Sequence, residues 1–417
     1  MQNHEAESKL SRPKGPLNGI RVIDLSNIVF GPYASQFLGD CGADVVKVET
    51  LEGDSTRHTG PAQANGMACS FLALNRNKRS VALDLTSSAG QSALIRLIDT
   101  ADVLMHNIRP QKLAALGLEV DVVRARWPRL VYATLTGFAS DGPYAGRPAY
   151  DDIIQGMSGL ADLMLRQSGE PRYFPTIAAD KISALVATQA ITAAIAGRAR
   201  TGEGVHVEVS MFEAVAGFAM ADHLYGETFE PAIGGTGYVR VLAKSRRPHR
   251  TRDGYLCVMP YTDAHWMRFF EDVGMPEVAR DPRFIGMGER TKNIDLLYAL
   301  MESLLAQHDT DHWLVLFARL DIPCSRVNTL EHVLDDPHLN STGFFSKFET
   351  SSGTIRLPGQ GIRFNGGTCV ATAPPRLGEH TRELLRETGL TDGDIDALIE
   401  RGDIGTDLYD DNDRRFP

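Results

Sequence analysis

Residues 20–48, IRVIDLSNIVFGPYASQFLGDCGADVVKV, contain the pattern from which the fold class is predicted. Its first apolar run, Ile20–Leu25, predicts a buried strand, and Asp44–Val48 predicts a second one. Between them, Pro32–Cys41 predicts a helix that opens behind Gly31, because proline is favoured at the first helical position. A strand, a helix and a strand in this order form the unit from which parallel sheets are built.

The same alternation continues along the chain. Further strands are predicted over Ser80–Leu85, Ala101–Met105, Leu130–Leu135 and Val205–Val209, and helices over Gly90–Thr100, Tyr150–Leu165, 182–199 and Met211–Leu224. Strands that alternate with helices imply a parallel sheet covered on both faces. The predicted fold class is therefore α/β, with a large doubly wound, Rossmann-like domain.

A change of composition near Glu227–Gly237 marks a predicted domain boundary, because proline and glycine interrupt the alternation there. Beyond it the pattern predicts a smaller α+β domain, and the α/β pattern returns after about residue 322. We therefore expect the first part of the large domain at 17–226 and the small domain at 227–321. The segment 322–417 is expected to return to the large domain and to end in C-terminal helices.

Bulk composition excludes several classes of protein. The chain has 417 residues, and 43 Lys and Arg stand against 53 Asp and Glu, so that the net charge of −10 argues against a nucleic-acid partner. No apolar run approaches the ~18 residues that span a bilayer, and the N-terminal segment lacks the apolar core of a signal peptide. Five scattered cysteines without a CxxC pair indicate reduced thiols. We expect a cytoplasmic protein with no membrane partner.

Several familiar catalytic motifs are absent from the sequence. It contains no GxGxxG, GxxxxGK[ST], GxSxG or HExxH motif, and its twelve histidines show no metal-ligand spacing. We therefore expect no bound metal. A ligand is still expected in the crevice beyond the carboxyl ends of the strands, by the general rule for open α/β sheets.

Three stretches next to predicted strands are candidates to line this crevice. Ser26–Pro32 after the first strand is either a ligand loop or a plain connection between a strand and a helix. Asn75–Arg79 offers cations and amides suited to phosphates, although charge runs of this length are usually solvated. Asn107–Pro110 places further polar groups after the predicted strand at 101–105.

Asp180 stands where a loop gives way to the alanine-rich helix predicted over 182–199. A carboxylate at a helix N-terminus is stabilised by free backbone N–H groups. Two interpretations are open on local sequence: Asp180 caps the helix, or it is an ionised nucleophile. Capping is the more common role for aspartate at such a position.

A set of longer motifs resembles those of a known protein family. They run in order through nearly the whole chain, as Gly31-Pro32-Tyr33-Ala34, Leu38-Gly39-Asp40-Cys41-Gly42-Ala43-Asp44-Val45-Val46-Lys47-Val48-Glu49, Asn75-Arg76-Asn77-Lys78-Arg79-Ser80, Tyr150-Asp151 with Gln155 and Ser158-Gly159, and Arg376-Leu377-Gly378-Glu379-His380-Thr381. This set resembles the class III CoA-transferases, the CaiB/BaiF family. The order and extent of the motifs make the resemblance more specific than any one of them.

The resemblance implies an enzyme that moves CoA from an acyl-CoA donor to a carboxylic acid acceptor. CoA thioester is then a substrate, and no permanently bound cofactor is implied. The family's catalytic aspartate follows its tyrosine by thirty residues, and counting from Tyr150 leads to Asp180. As the nucleophile, Asp180 forms an aspartyl–acyl anhydride and then an aspartyl-CoA thioester. The implied CoA contacts are Val29, Phe30, Leu83, Asp84, Leu85, Thr86, Asn107, Ile108, Arg109, Tyr150 and Asp151.

The chain departs from the family at some phosphate-binding positions. Where some relatives have basic residues, this chain has Thr50, Thr86 and Ala115. The phosphate contacts are therefore expected from other cations, namely Arg76, Lys78, Arg79 or Arg109.

Two alternative activities stay open. The family's racemase branch needs two bases, commonly with histidine where this chain has Tyr150, and tyrosine is a poor base with a reference pKa near ~10. A non-catalytic acyl-CoA-binding protein with the same fold is the other alternative.

The resemblance also implies an interlocked homodimer. Gly234–Gly237 resembles a glycine-rich flap that closes over the site, or else is an interdomain linker. Arg246–Arg250 favours a dicarboxylate acceptor, or else forms an exposed basic face.

Overall fold

The computed structural model describes residues 15–367 and 371–407. Within them the chain packs into two compact units. The large unit comprises the residues up to 155 together with 175–216 and those from 341 onward, and the small unit comprises 156–174 and 217–340. Each unit is described by itself below.

The strands of the described residues form three sheets. In chain order they are β1 (Arg21–Asp24), β2 (Asp44–Glu49), β3 (Lys78–Leu83), β4 (Val103–His106), β5 (Val131–Thr136), β6 (His206–Ser210), β7 (His249–Arg250), β8 (Tyr255–Val258), β9 (Cys324–Arg326), β10 (Phe345–Thr350), β11 (Gly353–Pro358) and β12 (Ile404–Gly405).

The helices surround and connect these strands. In chain order they are α1 (Phe30–Asp40), α2 (Cys69–Leu72), α3 (Ser88–Ile98), α4 (Pro110–Ala114), α5 (Val120–Arg126), α6 (Asp151–Met157), α7 (Leu160–Ser168), α8 (Ala178–Thr201), α9 (Met211–His223), α10 (Val239–Leu242), α11 (Asp263–Asp272), α12 (Pro276–Ala279), α13 (Met287–Lys292), α14 (Ile294–Leu305), α15 (Thr310–Arg319), α16 (Leu330–Leu334), α17 (Pro337–Ser341), α18 (Thr381–Glu387) and α19 (Asp392–Glu400).

The large unit is built on a seven-stranded sheet in the order β12-β3-β2-β1-β4-β5-β6. All neighbours in it are parallel except the edge strand β12, which runs antiparallel to β3. The chain moves outward from β1 on one side through β2 and β3, and on the other through β4 to β6. This reversal defines a doubly wound fold with its switch point between β1 and β4. The predicted α/β fold class is thus confirmed.

The core of the large unit lies on the faces of this sheet. Strand residues such as Ile23, Leu104 and Tyr132 are fully buried, and Leu94 of α3 packs with them. Because both faces are covered, the inner strand β4 reads as an apolar run, Val103-Leu104-Met105, rather than as an alternating pattern.

One long predicted helix is divided in the structure. The helix predicted over Tyr150–Leu165 is found as α6 and α7, separated at Gly159, whose φ is +92°. Glycine adopts this left-handed conformation without the Cβ clash of other residues. The apolar pattern continues across the break, and for that reason the pattern alone did not reveal it.

The small unit has its own core and sheet. Its three-stranded sheet has the order β7-β8-β9 with antiparallel neighbours. Trp266 and Phe269 of α11 pack with Trp313 and Phe317 of α15 in an aromatic cluster. This is the α+β character expected of the smaller domain.

The predicted domain boundaries differ from the division found by packing. The segment 156–174 packs with the small unit, whereas the sequence pattern predicts it within 17–226, the first part of the large domain. The return of the chain to the large unit comes near residue 341 rather than 322, because β9 pairs with β8 in the small unit's sheet. A short strand alone did not tell which sheet it joins.

Helix α8 is long and apolar enough, by length and composition alone, to cross a membrane. One such helix is weak evidence for a membrane span. In the structure, the face of α8 that carries Ala184, Ala187 and Ile191 is buried, and the helix packs against α1.

Four of the five cysteines, Cys41, Cys69, Cys257 and Cys324, are free thiols. Cys369 lies outside the described residues.

Candidate active site

The loop from β1 to α1 is held in one tight conformation. A Cβ on Gly31 would lie 2.1 Å from the Ser26 hydroxyl oxygen, so that only glycine fits at position 31. Ile28 has a φ of +73°, an outlier for a β-branched residue, and its N–H donates to the Asp54 carboxylate at 3.1 Å. Backbone strain of this kind concentrates at functional sites. The strained backbone favours a ligand loop over a plain connection at Ser26–Pro32, and ligand binding there stays a prediction.

A buried ion pair between Lys47 and Asp54 holds the same loop in place. Lys47 donates to the Asp54 carboxylate at 3.0 Å and to the Ser26 carbonyl at 2.9 Å, and both charged side chains are fully buried. Asp54 thereby links Lys47 to the Ile28 amide. The loop that leads into α1 is thus fixed by charges inside the large unit.

Asp151 caps helix α8. Its Oδ1 accepts the N–H groups of Ala179 at 2.7 Å and of Asp180 at 3.1 Å. Its Oδ2 accepts the Gln155 side-chain amide at 2.6 Å. Asp180 is the third residue of α8 rather than the residue before it. The interpretation of Asp180 as the helix cap is therefore wrong, because a carboxylate from α6 takes that role.

The Asp180 carboxyl group is partly buried and electrostatically disfavoured as an anion. Burial and, after it, the nearby Asp151 charge raise its pKa to about 7, against the opposing effect of a hydrogen bond from the Phe30 backbone. The expectation that the helix end keeps this carboxylate ionised is thus wrong in direction. The free N–H groups of α8 are occupied by Asp151, so they stabilise the charge of Asp151 instead.

The start of α1 and the start of α8 therefore meet at Asp180. Phe30 and Val29, both predicted to contact CoA, have buried side chains at 3% and 7% exposure, so that the backbone is what they can offer a ligand. Asp151, also predicted as a CoA contact, uses both carboxylate oxygens within the protein. The sequence motifs did not reveal these roles.

The loops after β1 and β4 are joined at the switch point. The Asn107 side chain accepts the Asn27 N–H at 3.0 Å and donates to the Asn27 carbonyl at 2.9 Å. Asn27 was not singled out from the sequence. Its partner Asn107 is a predicted contact, since it follows a predicted strand. The paired amides join the two loops at one edge of the sheet.

The remaining predicted contacts lie at the same edge but differ in exposure. The Leu83 side chain is fully buried in the core, and Leu85 and Ile108 pack against that core from its rim. Asp84 accepts the N–H and hydroxyl of Thr86 in a local turn. Leu83 therefore cannot offer its side chain to a ligand.

Two other predicted contacts are accessible. Arg109 is exposed immediately before α4, and no ion pair to it occurs among the described residues. Tyr150 precedes α6, and its side chain is 64% exposed. Both are free to meet a ligand.

The cations of Asn75–Arg79 are committed to the protein itself. Arg76 forms a two-pronged ion pair with Asp40 at 2.6 and 2.9 Å, and Arg79 forms one with Asp44 at 2.7 and 3.0 Å. The prediction that this run is either solvated or a phosphate site is wrong in both forms. The acidic partners lie far away in sequence, so neighbouring charges gave no signal of the pairing.

Lys78 is the most deeply buried of these cations. It donates to the Pro32 carbonyl and to the Asn75 side chain, each at 2.8 Å, and lies 3.4 Å from Asp24. Burial lowers the pKa of Lys78 to about 7, outweighing the attraction of Asp24. Of the four cations expected to hold phosphates, Arg109 is the one that stays available.

The glycine-rich segment Gly234–Gly237 is hydrogen-bonded within the small unit. The Gly226 N–H donates to the Gly235 carbonyl at 3.2 Å, and Arg166 donates to the Thr236 carbonyl at 3.0 Å. A Cβ on Gly226 would lie 2.5 Å from Gly234. The segment is a packed loop, and its closure over a site stays a prediction.

Several known proteins resemble this chain over most of its length. The model of CoA-transferase family III matches residues 17–381. The probable fatty acyl-CoA transferase Rv3272 of Mycobacterium tuberculosis is 31% identical and covers 90% of this chain and 98% of the relative. Succinyl-CoA:glutarate CoA-transferase of Mus musculus is 30% identical, with 93% and 90% covered. A crystal structure of a CaiB/BaiF family protein from Brucella suis matches with a TM-score of 0.76 at 32% identity, covering 90% of this chain and 99% of that chain.

Fold and site together define a doubly wound α/β enzyme with a titratable carboxyl group at the carboxyl edge of its sheet. The family match extends through both units. The chain belongs to CoA-transferase family III, the CaiB/BaiF family, and is a CoA-transferase that uses CoA thioesters as substrates. The resemblance noted in the sequence motifs is confirmed.

Proposed function

We propose that the enzyme moves CoA from an acyl-CoA donor to a carboxylic acid through covalent intermediates on Asp180. The observation that carries this proposal is the Asp180 carboxyl group, whose pKa burial raises to about 7, held against the backbone of Phe30 at the start of α1. A carboxylate with a raised pKa is more basic once ionised, and therefore a better nucleophile than an ordinary aspartate.

The first half of the reaction exchanges the acyl group for CoA on Asp180. An Asp180 oxygen attacks the thioester carbonyl carbon, the carbon–sulfur bond breaks, and CoA leaves as the thiolate. The product on the enzyme is an aspartyl–acyl anhydride. The thiolate then attacks the aspartyl carbonyl carbon, which releases the donor's carboxylate and leaves an aspartyl-CoA thioester. Each step replaces one activated acyl bond with another, so that neither is strongly uphill.

The second half reverses this order with the acceptor. The acceptor carboxylate attacks the aspartyl-CoA carbonyl carbon and expels the thiolate, which forms a new anhydride. Attack of the thiolate on the acceptor's acyl carbon yields the new acyl-CoA and restores the Asp180 carboxylate. Both intermediates react with water, so exclusion of solvent from Asp180 is required, and the partial burial of Asp180 supports it.

The Phe30 N–H is the proposed donor to the developing oxyanion. Since it already hydrogen-bonds the Asp180 carboxyl group, it needs no reorganisation when charge develops on the aspartyl carbonyl oxygen. The tight Gly31 turn holds this donor in place.

For CoA itself, we propose contacts along the carboxyl edge of the sheet. The backbone of Val29 and Phe30 and the joined Asn27–Asn107 loops form its centre, and Tyr150 lies beside Asp151 with an exposed ring. Arg109 is the proposed phosphate contact, because it is the accessible cation among those expected. Asp84–Thr86 borders the same edge after β3.

The donor and the acceptor are proposed to include short dicarboxylic acids. Support comes from the name of the mouse relative, which pairs succinyl-CoA with glutarate. A screen of acyl-CoA donors against carboxylic acids, read by mass spectrometry of the acyl-CoA products, identifies the pair that this enzyme uses.

We also propose that two chains form the interlocked homodimer implied by the family. Support comes from apolar side chains that α6 and α8 leave exposed, including Ile153 at 49% and Leu185 at 51%. A protein would ordinarily cover such a face. Sedimentation equilibrium on the full chain measures the assembly directly.

Trapping of the covalent intermediates tests the mechanism. With donor acyl-CoA and hydroxylamine, we expect a hydroxamate on the peptide that contains Asp180, detected by mass spectrometry after proteolysis. Borohydride should reduce the same acyl group. Exchange of a substrate α-proton without any CoA transfer would point to a racemase instead, and CoA binding without turnover would point to a binding protein.

The Asp151→Asn variant tests the electrostatic origin of the raised Asp180 pKa. The amide oxygen still accepts the two α8 N–H groups, but the negative charge that raises the pKa of Asp180 is gone. In the wild type, kcat/KM should rise with pH and level off above about 7, since this parameter reports ionisation of the free enzyme. In the variant we expect the same rise at lower pH.

The matched control is Asp152→Asn, an exposed residue in the same first turn of α6. Its profile should coincide with that of the wild type. A profile of Asp151→Asn that keeps its wild-type midpoint would show that the Asp151 charge does not act on the reacting carboxylate.

A further inference from the structure

The small unit contains a cavity of about 480 Å³ beside its three-stranded sheet. This volume lies within the range of small-molecule sites, roughly 300–1,000 Å³. Part of its wall is apolar and comes from Val258, Met259 and Pro323. The other part comes from the run Arg246–His249. The reaction proposed at Asp180 gives this run no role.

His249 is the buried polar group of this wall. It is 3% exposed, and its Nδ1 has no hydrogen-bond partner among the described residues. Its ring lies 6.1 Å from that of Tyr298, which lines the same cavity. Buried polar atoms are almost always paired, and an unpaired one costs about 1–3 kcal/mol. An atom left unpaired at a cavity wall indicates a partner that binds from outside the chain.

Arg246 supplies a second unpaired donor. Its Nε is buried without a partner among the described residues, although its carbonyl accepts the Gln167 side chain at 3.2 Å. The neighbouring Arg247 is different, because it donates to the Glu302 carboxylate at 2.9 and 3.2 Å. The cavity therefore offers one uncommitted guanidinium and one that is already neutralised.

The charge around His249 favours an uncharged ring. Burial lowers the pKa of His249, Arg247 lowers it further, and Glu302 opposes both. At neutral pH the imidazole can therefore donate one hydrogen bond but does not add a second cation. With Arg246 as a cation without an ion pair at its wall, the cavity suits an anionic ligand.

We propose that this cavity binds the carboxylate of a small organic acid, with Arg246 and His249 as donors and the apolar wall against its carbon chain. Guanidinium and carboxylate match in geometry. A free phosphate is polar on every side and would leave the apolar wall unused. The inference is drawn from the small unit alone and does not depend on the role of Asp180.

The experiment measures binding directly. Isothermal titration of glutarate into the full-length protein, in the wild type and in an Asp180→Asn background, should give the same dissociation constant for this site. Arg246→Gln and His249→Gln should each weaken binding about tenfold or more, as expected for lost hydrogen bonds to a charged group. Arg246→Lys should restore part of the affinity.

The matched control is Arg250→Gln. Arg250 follows His249 on β7 but is exposed and does not line the cavity, so glutarate affinity should be unchanged. Circular dichroism melts establish that each variant is folded. Wild-type affinity in Arg246→Gln, absence of glutarate binding, or inorganic phosphate binding as tightly as glutarate would each overturn the proposal.

Kinetics then distinguish two sources of the acid. If Arg246→Gln raises the KM for the acceptor acid and leaves kcat unchanged, the bound acid is the acceptor of the reaction. If binding is lost while KM stays constant, the cavity holds a separate acid. Either outcome supports the site itself, and neither requires that the anhydride mechanism be correct.

Discussion

Replacing Asp180 with asparagine is expected to abolish CoA transfer and at the same time to stabilise the protein above neutral pH. Asparagine has nearly the same shape but cannot form the anhydride, so we expect the rate to fall by roughly 10³-fold or more. Coupled mass-spectrometric detection of acyl-CoA products measures this loss. Binding of CoA, measured by titration calorimetry, should be retained because the CoA contacts proposed above lie on other residues.

The stability effect has a definite sign. The pKa of Asp180 is raised from 3.8 to about 7 in the folded protein, so that its native carboxyl group binds a proton more tightly than the unfolded one. Between these values stability falls as pH rises, and above about 7 the whole cost is present. Asparagine removes this cost. We expect a gain of about 1–3 kcal/mol at pH 8, allowing for partial solvent access, and no gain near pH 4.

Urea unfolding at the two pH values measures this difference. Asp152→Asn again provides the control, since that exposed carboxyl should alter neither activity nor stability. If Asp180→Asn kept wild-type turnover, covalent catalysis at this residue would be disproved. If it lost activity but gained no stability at pH 8, the Asp180 carboxyl would not be electrostatically strained.

Replacing Arg57 with methionine is expected to destabilise the large unit severely. Arg57 binds Glu49 through two hydrogen bonds of 2.8 and 2.7 Å, and both side chains are fully buried. Its guanidinium also lies 3.6 Å from the centre of the Phe71 ring and donates to the Pro375 carbonyl at 3.2 Å. Methionine leaves the Glu49 charge buried without its cation, and such a loss typically costs about 3–5 kcal/mol.

The control compares a buried arginine with an exposed one. Arg252 forms a similar two-pronged pair with Asp309, but both side chains are largely exposed, so Arg252→Met should leave the urea midpoint unchanged. Adding Glu49→Gln to Arg57→Met should recover part of the loss, because it removes the uncompensated charge. A small effect of Arg57→Met alone would show that Glu49 is protonated or solvated in its absence.

The sequence predicted the secondary-structure elements better than it predicted the hydrogen-bond partners of the site residues. Apolar runs such as Ile20–Leu25 and the glycine turn at Gly31 predicted the β1–α1–β2 unit, because strand and helix periods are local properties. The motif spacing from Tyr150 to Asp180 placed the candidate nucleophile. Neither pattern contains information on which distant side chain will accept a given hydrogen bond.

The pairings between distant residues account for the predictions that were wrong. Asp180 was a plausible cap until Asp151 proved to occupy the α8 N–H groups. Arg76 and Arg79 were plausible phosphate ligands until Asp40 and Asp44 proved to bind them. In each case the competing partner lies between 28 and 36 residues away, beyond any local pattern.

The order of strands, helices and motifs along the chain was sufficient to predict the doubly wound α/β class and the family, and to propose Asp180 as the nucleophile. These predictions depend on periodicity and on motif order, which are properties of the linear sequence. Packing in three dimensions raises the pKa of Asp180 to about 7, leaves Arg109 rather than Lys78 accessible, and places Arg246 and His249 in one cavity wall. The physical reason is that burial and the distances between charges set these properties, and both arise only when the chain has packed.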